Sequence, residues 1–201
     1  MDIVCLDLEG VLIPEIWIAF AEETGIEALR ATTRDIADYD ELMTMRLETL
    51  RTHQLGINEI QTVISGLSPL PGAAEFLDDL RIAYQVVILS DTFYDFTRPL
   101  MAQLAWPTLM CHRLEINAEG TITGYQLRQE DPKRRAVEAF RSLNFTIFAA
   151  GDSYNDTSML GAADAGFLFR APSNVKAEFP SFKATDEYAE LRRLIDEAAT
   201  R

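Results

Sequence analysis

Met1-Asp2-Ile3-Val4-Cys5-Leu6-Asp7-Leu8-Glu9-Gly10-Val11 decides the fold class, because an apolar run at 3–6 breaks abruptly into two acids and a glycine. A run this short and unbroken suits a strand covered on both faces, as in a parallel sheet. Residues 86–89, 108–111, 146–150 and 165–169 have the same character. Segments of helical period separate several of them. One follows Pro71 and carries Ala73, Phe76, Leu77 and Leu80; another opens at Asp131-Pro132 and carries Ala136, Val137 and Phe140. The alternation predicts an α/β protein with right-handed crossovers.

The chain between the first two strand-like runs is far longer than one crossover helix requires, and its pattern is mostly helical. Residues 14–70 therefore read as a small helical cap inserted after the first strand, leaving 1–13 and 71–201 as the core. Within the insert, Ile16, Trp17 and Phe20 share a face that ends at Gly25. A helix is predicted over 40–51, and Asn58 with Gln61 reads as a capping pair ahead of Ile60, Val63, Ile64 and Leu67. Residues 113–128, with Glu119-Gly120 between alternating apolar positions, predict a β-hairpin.

The 201 residues carry 32 Asp+Glu against 18 Lys+Arg, a net charge of −14, which argues against a nucleic-acid partner. Hydrophobic residues make up 48%, as in a globular chain, and the mass of 22.6 kDa predicts a folded surface of roughly 9,500 Å². No apolar run approaches the roughly 20 residues of a membrane helix, and no basic segment precedes an apolar one at the start. No membrane partner and a cytoplasmic location are expected. Cys5 and Cys111 both lie in strand-like runs and read as buried, reduced thiols.

Residues just past strand ends line one crevice in such a sheet. Asp7 and Glu9 follow the first strand; Asp152 and Asp156 follow the strand ending at Ala150. Four gathered acids repel one another unless a cation joins them, and all-oxygen ligands favour Mg²⁺. Taken alone, Asp156 also reads as a cap for the helix through Leu160. Lys133 falls on the same stripe as Ala136, Val137 and Phe140, which points it inward, whereas Arg134 and Arg135 lie off the stripe. Arg46 shares an apolar face with Met43, Leu47 and Leu50, where a guanidinium wants an anion. His53 and His112 have no partner motif.

Asp7-Leu8-Glu9-Gly10-Val11, Leu89-Ser90-Asp91-Thr92-Phe93, Lys133 and Gly151-Asp152-Ser153-Tyr154-Asn155-Asp156 occur in the order found in the haloacid dehalogenase (HAD) superfamily. The chain resembles its phosphoserine phosphatase branch, and within that the members that also act as phosphoserine:homoserine phosphotransferases. The resemblance implies a HAD-like Rossmannoid parallel sheet and an aspartyl-phosphate mechanism acting on O-phosphoserine. It implies Asp7 as nucleophile, Glu9 as general acid and base, and Lys133 as the cation on the phosphoryl oxygens. Mg²⁺ would be held by Asp7, the Glu9 carbonyl and Asp152, with Asp156 in support. Substrate-binding roles are implied for Ser90 at the phosphate, Asn155 in orienting substrate or nucleophile, Arg46 at the carboxylate and Glu15 at the ammonium. Phosphoserine, and homoserine as an acceptor, are the implied small-molecule partners; a homodimer is compatible with the resemblance.

Glu9 and Asp91 depart from the usual pattern of Asp and Gly. Asp91 either receives the hydroxyl or ammonium of an acceptor or caps the following helix. A receiver-like domain that merely stores an aspartyl-phosphate is the rival from another class, and the helical insert with Glu9 argues against it.

Overall fold

The computed structural model describes residues 1–33, 35–36 and 38–200. Seven strands form one sheet: β1 (Asp2–Leu6), β2 (Gln85–Phe93), β3 (Thr108–Ile116), β4 (Ile122–Gln126), β5 (Thr146–Gly151), β6 (Ala165–Phe169) and β7 (Lys183–Thr185). Their order is β4-β3-β2-β1-β5-β6-β7, and every neighbouring pair is parallel except β3 and β4. The exposed surface is 9823 Å², close to the size expected from mass.

β1, β2 and β5 are buried along most of their length, which is why their sequences are unbroken apolar runs rather than alternating ones. Nine helices flank the sheet among the described residues: α1 (Ile16–Thr24), α2 (Tyr39–Thr52), α3 (Ile57–Ser65), α4 (Ala73–Ala83), α5 (Tyr94–Gln103), α6 (Pro132–Ser142), α7 (Thr157–Ala162), α8 (Ser173–Glu178) and α9 (Tyr188–Ala199). Buried residues divide into two groups, one on each face of the sheet. The larger runs from Val4 and Leu6 through Phe96 and Phe148 into the insert at Ile16, Phe20, Met43 and Ile60. The smaller joins Ile3, Cys5, Ala136, Val137, Met159 and Val175. Among the described residues no helix is long and apolar enough to cross a membrane. Cys5 and Cys111 are free and buried, and burial pushes the Cys5 thiol up to about 12.

α1 ends at Gly25 in a left-handed conformation (φ 68°), as its glycine predicts, and Pro132 occupies the first turn of α6. Three expectations need correction. The cap of α3 is built by Gly56 and Glu59, not by Asn58 and Gln61: the Glu59 carboxylate accepts the Gly56 N–H at 2.8 Å. Residues 108–111 and the first arm of the hairpin are one strand, because β3 pairs in parallel with β2 and then continues antiparallel to β4. β2 also runs on past Leu89 to Phe93, so Asp91 lies inside a strand; the N-cap of α5 is Phe93, which removes the helix-capping reading of Asp91.

Candidate active site

The carboxyl ends of β1, β2 and β5 converge, and α1 and α2 of the insert roof them to leave a cavity of about 90 Å³. Asp7, Glu9, Glu15, Arg46, Ser90, Asp91, Lys133, Asp152 and Asn155 all line it. Asp156 stands behind them, fully buried. The structure therefore brings every sequence-predicted site residue to one place.

Lys133 is buried at 2% exposure, while Arg135 is exposed and Arg134 turns to Asp131 and Glu138, as the helical stripe predicts. The Lys133 ammonium lies 2.9 Å from Asp7, 2.7 Å from Asp156 and 3.2 Å from Asp91. Burial opposes its charge, but Asp156, Asp7 and Asp91 outweigh burial and hold its pKa well above that of an ordinary ammonium. Asp7 is pushed the other way: burial, then repulsion by Asp156 and Asp152, raises its pKa despite Lys133. One lysine does not neutralise this group of acids.

Asp7, Asp152 and Asp156 each present a carboxylate oxygen within 4.8 Å of the others, and all three are buried. An all-oxygen, anionic donor set in which Asp7 is protonation-prone when left alone fits a hard divalent cation. Asp156 differs from the other two. Its Oδ1 accepts from Lys133, and its Oδ2 accepts the backbone N–H groups of Asp152 at 2.9 Å and Ser153 at 3.1 Å. It thus shapes the loop that carries Asp152, and its side chain makes no cap to α7. The Glu9 carboxylate is outside the acidic trio; it accepts the Ile16 N–H at 2.9 Å. Burial raises its pKa against the opposing effects of Ile16, Thr92, Arg46 and Glu15.

Two glycines are required by this packing. A Cβ on Gly10 would sit 2.5 Å from Asp152 Oδ2, and its φ of 75° disfavours any side chain; a Cβ on Gly151 would sit 2.4 Å from the Asp156 carboxyl carbon. Gly10→Ala is expected to cost about 1–2 kcal/mol of stability and to lower activity more than about tenfold. Thermal melts and phosphate-release rates check this, and wild-type activity in the variant would contradict it.

Arg46 is buried at 6% exposure and stacks over Trp17, 4.5 Å from the ring centroid. One nitrogen donates to the Ala31 carbonyl at 2.9 Å. Its Nε, among the described residues, is the buried side-chain polar atom left without a partner. Burial pulls the guanidinium down to about 10, against Tyr39, Glu9 and Glu15. A buried, under-satisfied guanidinium facing a cavity is a site prepared for an anion. Glu15 lines the same cavity.

Asp91 Oδ2 accepts Asn155 Nδ2 at 2.7 Å and pairs with Lys133, so the carboxylate braces two neighbours. Burial opposes its charge, but Lys133, His112 and Asn155 hold it well below the usual carboxylate range. Ser90 is buried beside it and its hydroxyl accepts the Thr92 N–H at 3.3 Å. Sequence reading missed two residues. Tyr39 lines the cavity and donates its hydroxyl to the Asp91 carbonyl at 3.1 Å, and His112 reaches Asp91. Neither carries a spacing signal, because strand pairing and the docking of the insert create these contacts. His53 is exposed.

The family model for haloacid dehalogenase-like hydrolases matches residues 10–161. The phosphoserine phosphatase ThrH of Pseudomonas aeruginosa is 61% identical over 201 residues, covering 100% of this chain and 98% of that protein. A phosphoserine phosphatase of Pseudomonas syringae pv. tomato is 62% identical, over 100% of this chain and 85% of its own length. Among solved structures, a phospho-aspartyl intermediate analogue of phosphoserine phosphatase superposes with a TM-score of 0.79 at 19% identity, covering 96% of this chain and 98% of that one. That last likeness is one of fold.

Proposed function

The chain belongs to the haloacid dehalogenase-like hydrolase family, and on that premise we propose that it takes the phosphoryl group from O-phosphoserine through Asp7. The observation that carries the substrate is Arg46, whose buried Nε lacks a partner in the cavity that Asp7 and Lys133 also line. A phosphomonoester at Asp7 with a carboxylate at Arg46 and an ammonium at Glu15 satisfies the three sets of groups together. Residues 14–70 act as the cap and 1–13 with 71–201 as the core; curated relatives more than 60% identical bear the name phosphoserine phosphatase.

Asp7 attacks phosphorus in line; the new O–P bond forms as the bond to the serine oxygen breaks. Glu9, its pKa raised by burial, gives its proton to the departing oxygen. Lys133 balances negative charge on the phosphoryl oxygens, and Ser90 and Asn155 orient them. Glu9 then takes the proton of the incoming hydroxyl as that oxygen attacks phosphorus and frees Asp7. Asp7, Asp152 and the Glu9 carbonyl, with Asp156 in support, would hold Mg²⁺, which when bound would supply the positive charge that keeps Asp7 ionised beside a phosphate.

The hydroxyl in the second half is that of water or of homoserine. Homoserine has the ammonium and carboxylate of serine with one more methylene, so Arg46 and Glu15 suit both. Phosphoserine with saturating homoserine is expected to yield phosphohomoserine beside free phosphate. Free phosphate and serine alone would leave hydrolysis as the sole outcome.

Arg46→Lys tests the substrate. KM for phosphoserine should rise more than about tenfold, because a point charge does not replace a guanidinium fork. Turnover of p-nitrophenyl phosphate, which has no carboxylate, should change far less. Equal losses on the two substrates would place Arg46 at the phosphate instead.

A further inference from the structure

We propose that His112 is a positioning residue: it holds the Asp91 carboxylate so that Asp91 keeps Lys133 and Asn155 in place at the phosphoryl site, an inference that rests on the reading of that site given above. His112 lies opposite Phe93 in the β2–β3 pairing, after an irregularity between Leu89 and Phe93, and this brings it beside Asp91. The imidazole is buried at 2% exposure. Its Nδ1 accepts the Arg128 N–H at 3.1 Å, which places the proton of the neutral ring on Nε2. Nε2 faces Asp91 Oδ1 at 3.6 Å, a long polar contact. The rings of Tyr39 and Phe93 flank the imidazole, with centroids 6.4 and 6.2 Å away, and confine it.

The two oxygens of Asp91 are thereby divided. Oδ1 faces His112, whereas Oδ2 accepts from Asn155 and pairs with Lys133. The Asp91 main chain is fixed separately by the Tyr39 hydroxyl on its carbonyl. Without the Nε2–H group, the remaining freedom is rotation of the carboxylate, and rotation would draw Asn155 and Lys133 from their positions. His112 reaches the phosphoryl site only through Asp91, so its effect has to vanish when Asp91 is absent.

The experiment measures kcat and KM for phosphoserine in His112→Phe, in His112→Gln, which retains a side-chain N–H donor, in Asp91→Ala, and in His112→Phe combined with Asp91→Ala. His112→Phe is expected to lower kcat about tenfold while changing KM less than about twofold. His112→Gln should recover most of that loss, and His112→Phe should cost less than about twofold when Asp91 is already alanine. The same loss in both backgrounds, or no loss in the first, overturns the proposal. Should His112→Phe fail to fold, His112→Leu carries the same comparison, since it too presents no donor to Asp91. If the wild-type protein does not turn over phosphoserine, the substrate reading fails, and p-nitrophenyl phosphate carries the His112 comparison unchanged.

Discussion

Asp7→Asn is expected to remove turnover by more than about a hundredfold while leaving the fold intact. The amide has no anionic oxygen to attack phosphorus, and it removes one carboxylate from the trio formed with Asp152 and Asp156. The fold should survive because the change relieves repulsion: burial and two neighbouring acids already push the Asp7 carboxyl towards its neutral form. A neutral, nearly isosteric side chain at the end of β1 is therefore tolerated even as chemistry stops. Phosphate release and a thermal melt on the same preparation check both halves. A folded variant with near-normal turnover would remove Asp7 from the mechanism.

Lys133→Met should behave differently, losing stability together with activity. The ammonium sits within 3.2 Å of Asp7, Asp156 and Asp91, and Asp7 and Asp156 have almost no access to water. Removing the cation from a buried cluster leaves uncompensated carboxylates, a defect costing about 3–5 kcal/mol. For a chain of this length the melting temperature should fall by roughly 10 °C. Activity should fall more than about a hundredfold, since charge on the phosphoryl oxygens then goes unanswered. A melt superimposing on the wild type would mean that the acids do not depend on Lys133. In that case its close contacts carry no stabilising weight.

The contrast between these two variants reflects what was readable from the sequence. Asp7, Asp152 and Lys133 were legible because each position follows from a local period: an apolar strand ends one residue before Asp7 and the α6 stripe points Lys133 inward. Arg46 was legible for the same reason, being one buried position on a helix face. Tyr39 and His112 follow from no local rule. Tyr39 meets Asp91 because the insert docks on β2, and His112 does so because β3 pairs with β2 through an irregular register. The brace that Asp91 gives to Asn155 and Lys133 was equally hidden, since it joins three separate segments of chain. The union of residues 108–111 with the hairpin arm escaped notice because burial changes along one strand, from two covered faces to alternation.

The most direct test of the account is to mix the protein with Mg²⁺ and phosphoserine, quench in acid within the first turnovers, reduce with borohydride and map the modified residue by mass spectrometry. Reduction converts an acyl-phosphate to an alcohol. The account predicts that this change falls on Asp7, appears early, is discharged as phosphate forms, and is lost in Asp7→Asn. Phosphate accumulating while residue 7 stays an unmodified aspartate at every quench time would contradict it, as would an adduct on Asp7 that forms and is never discharged.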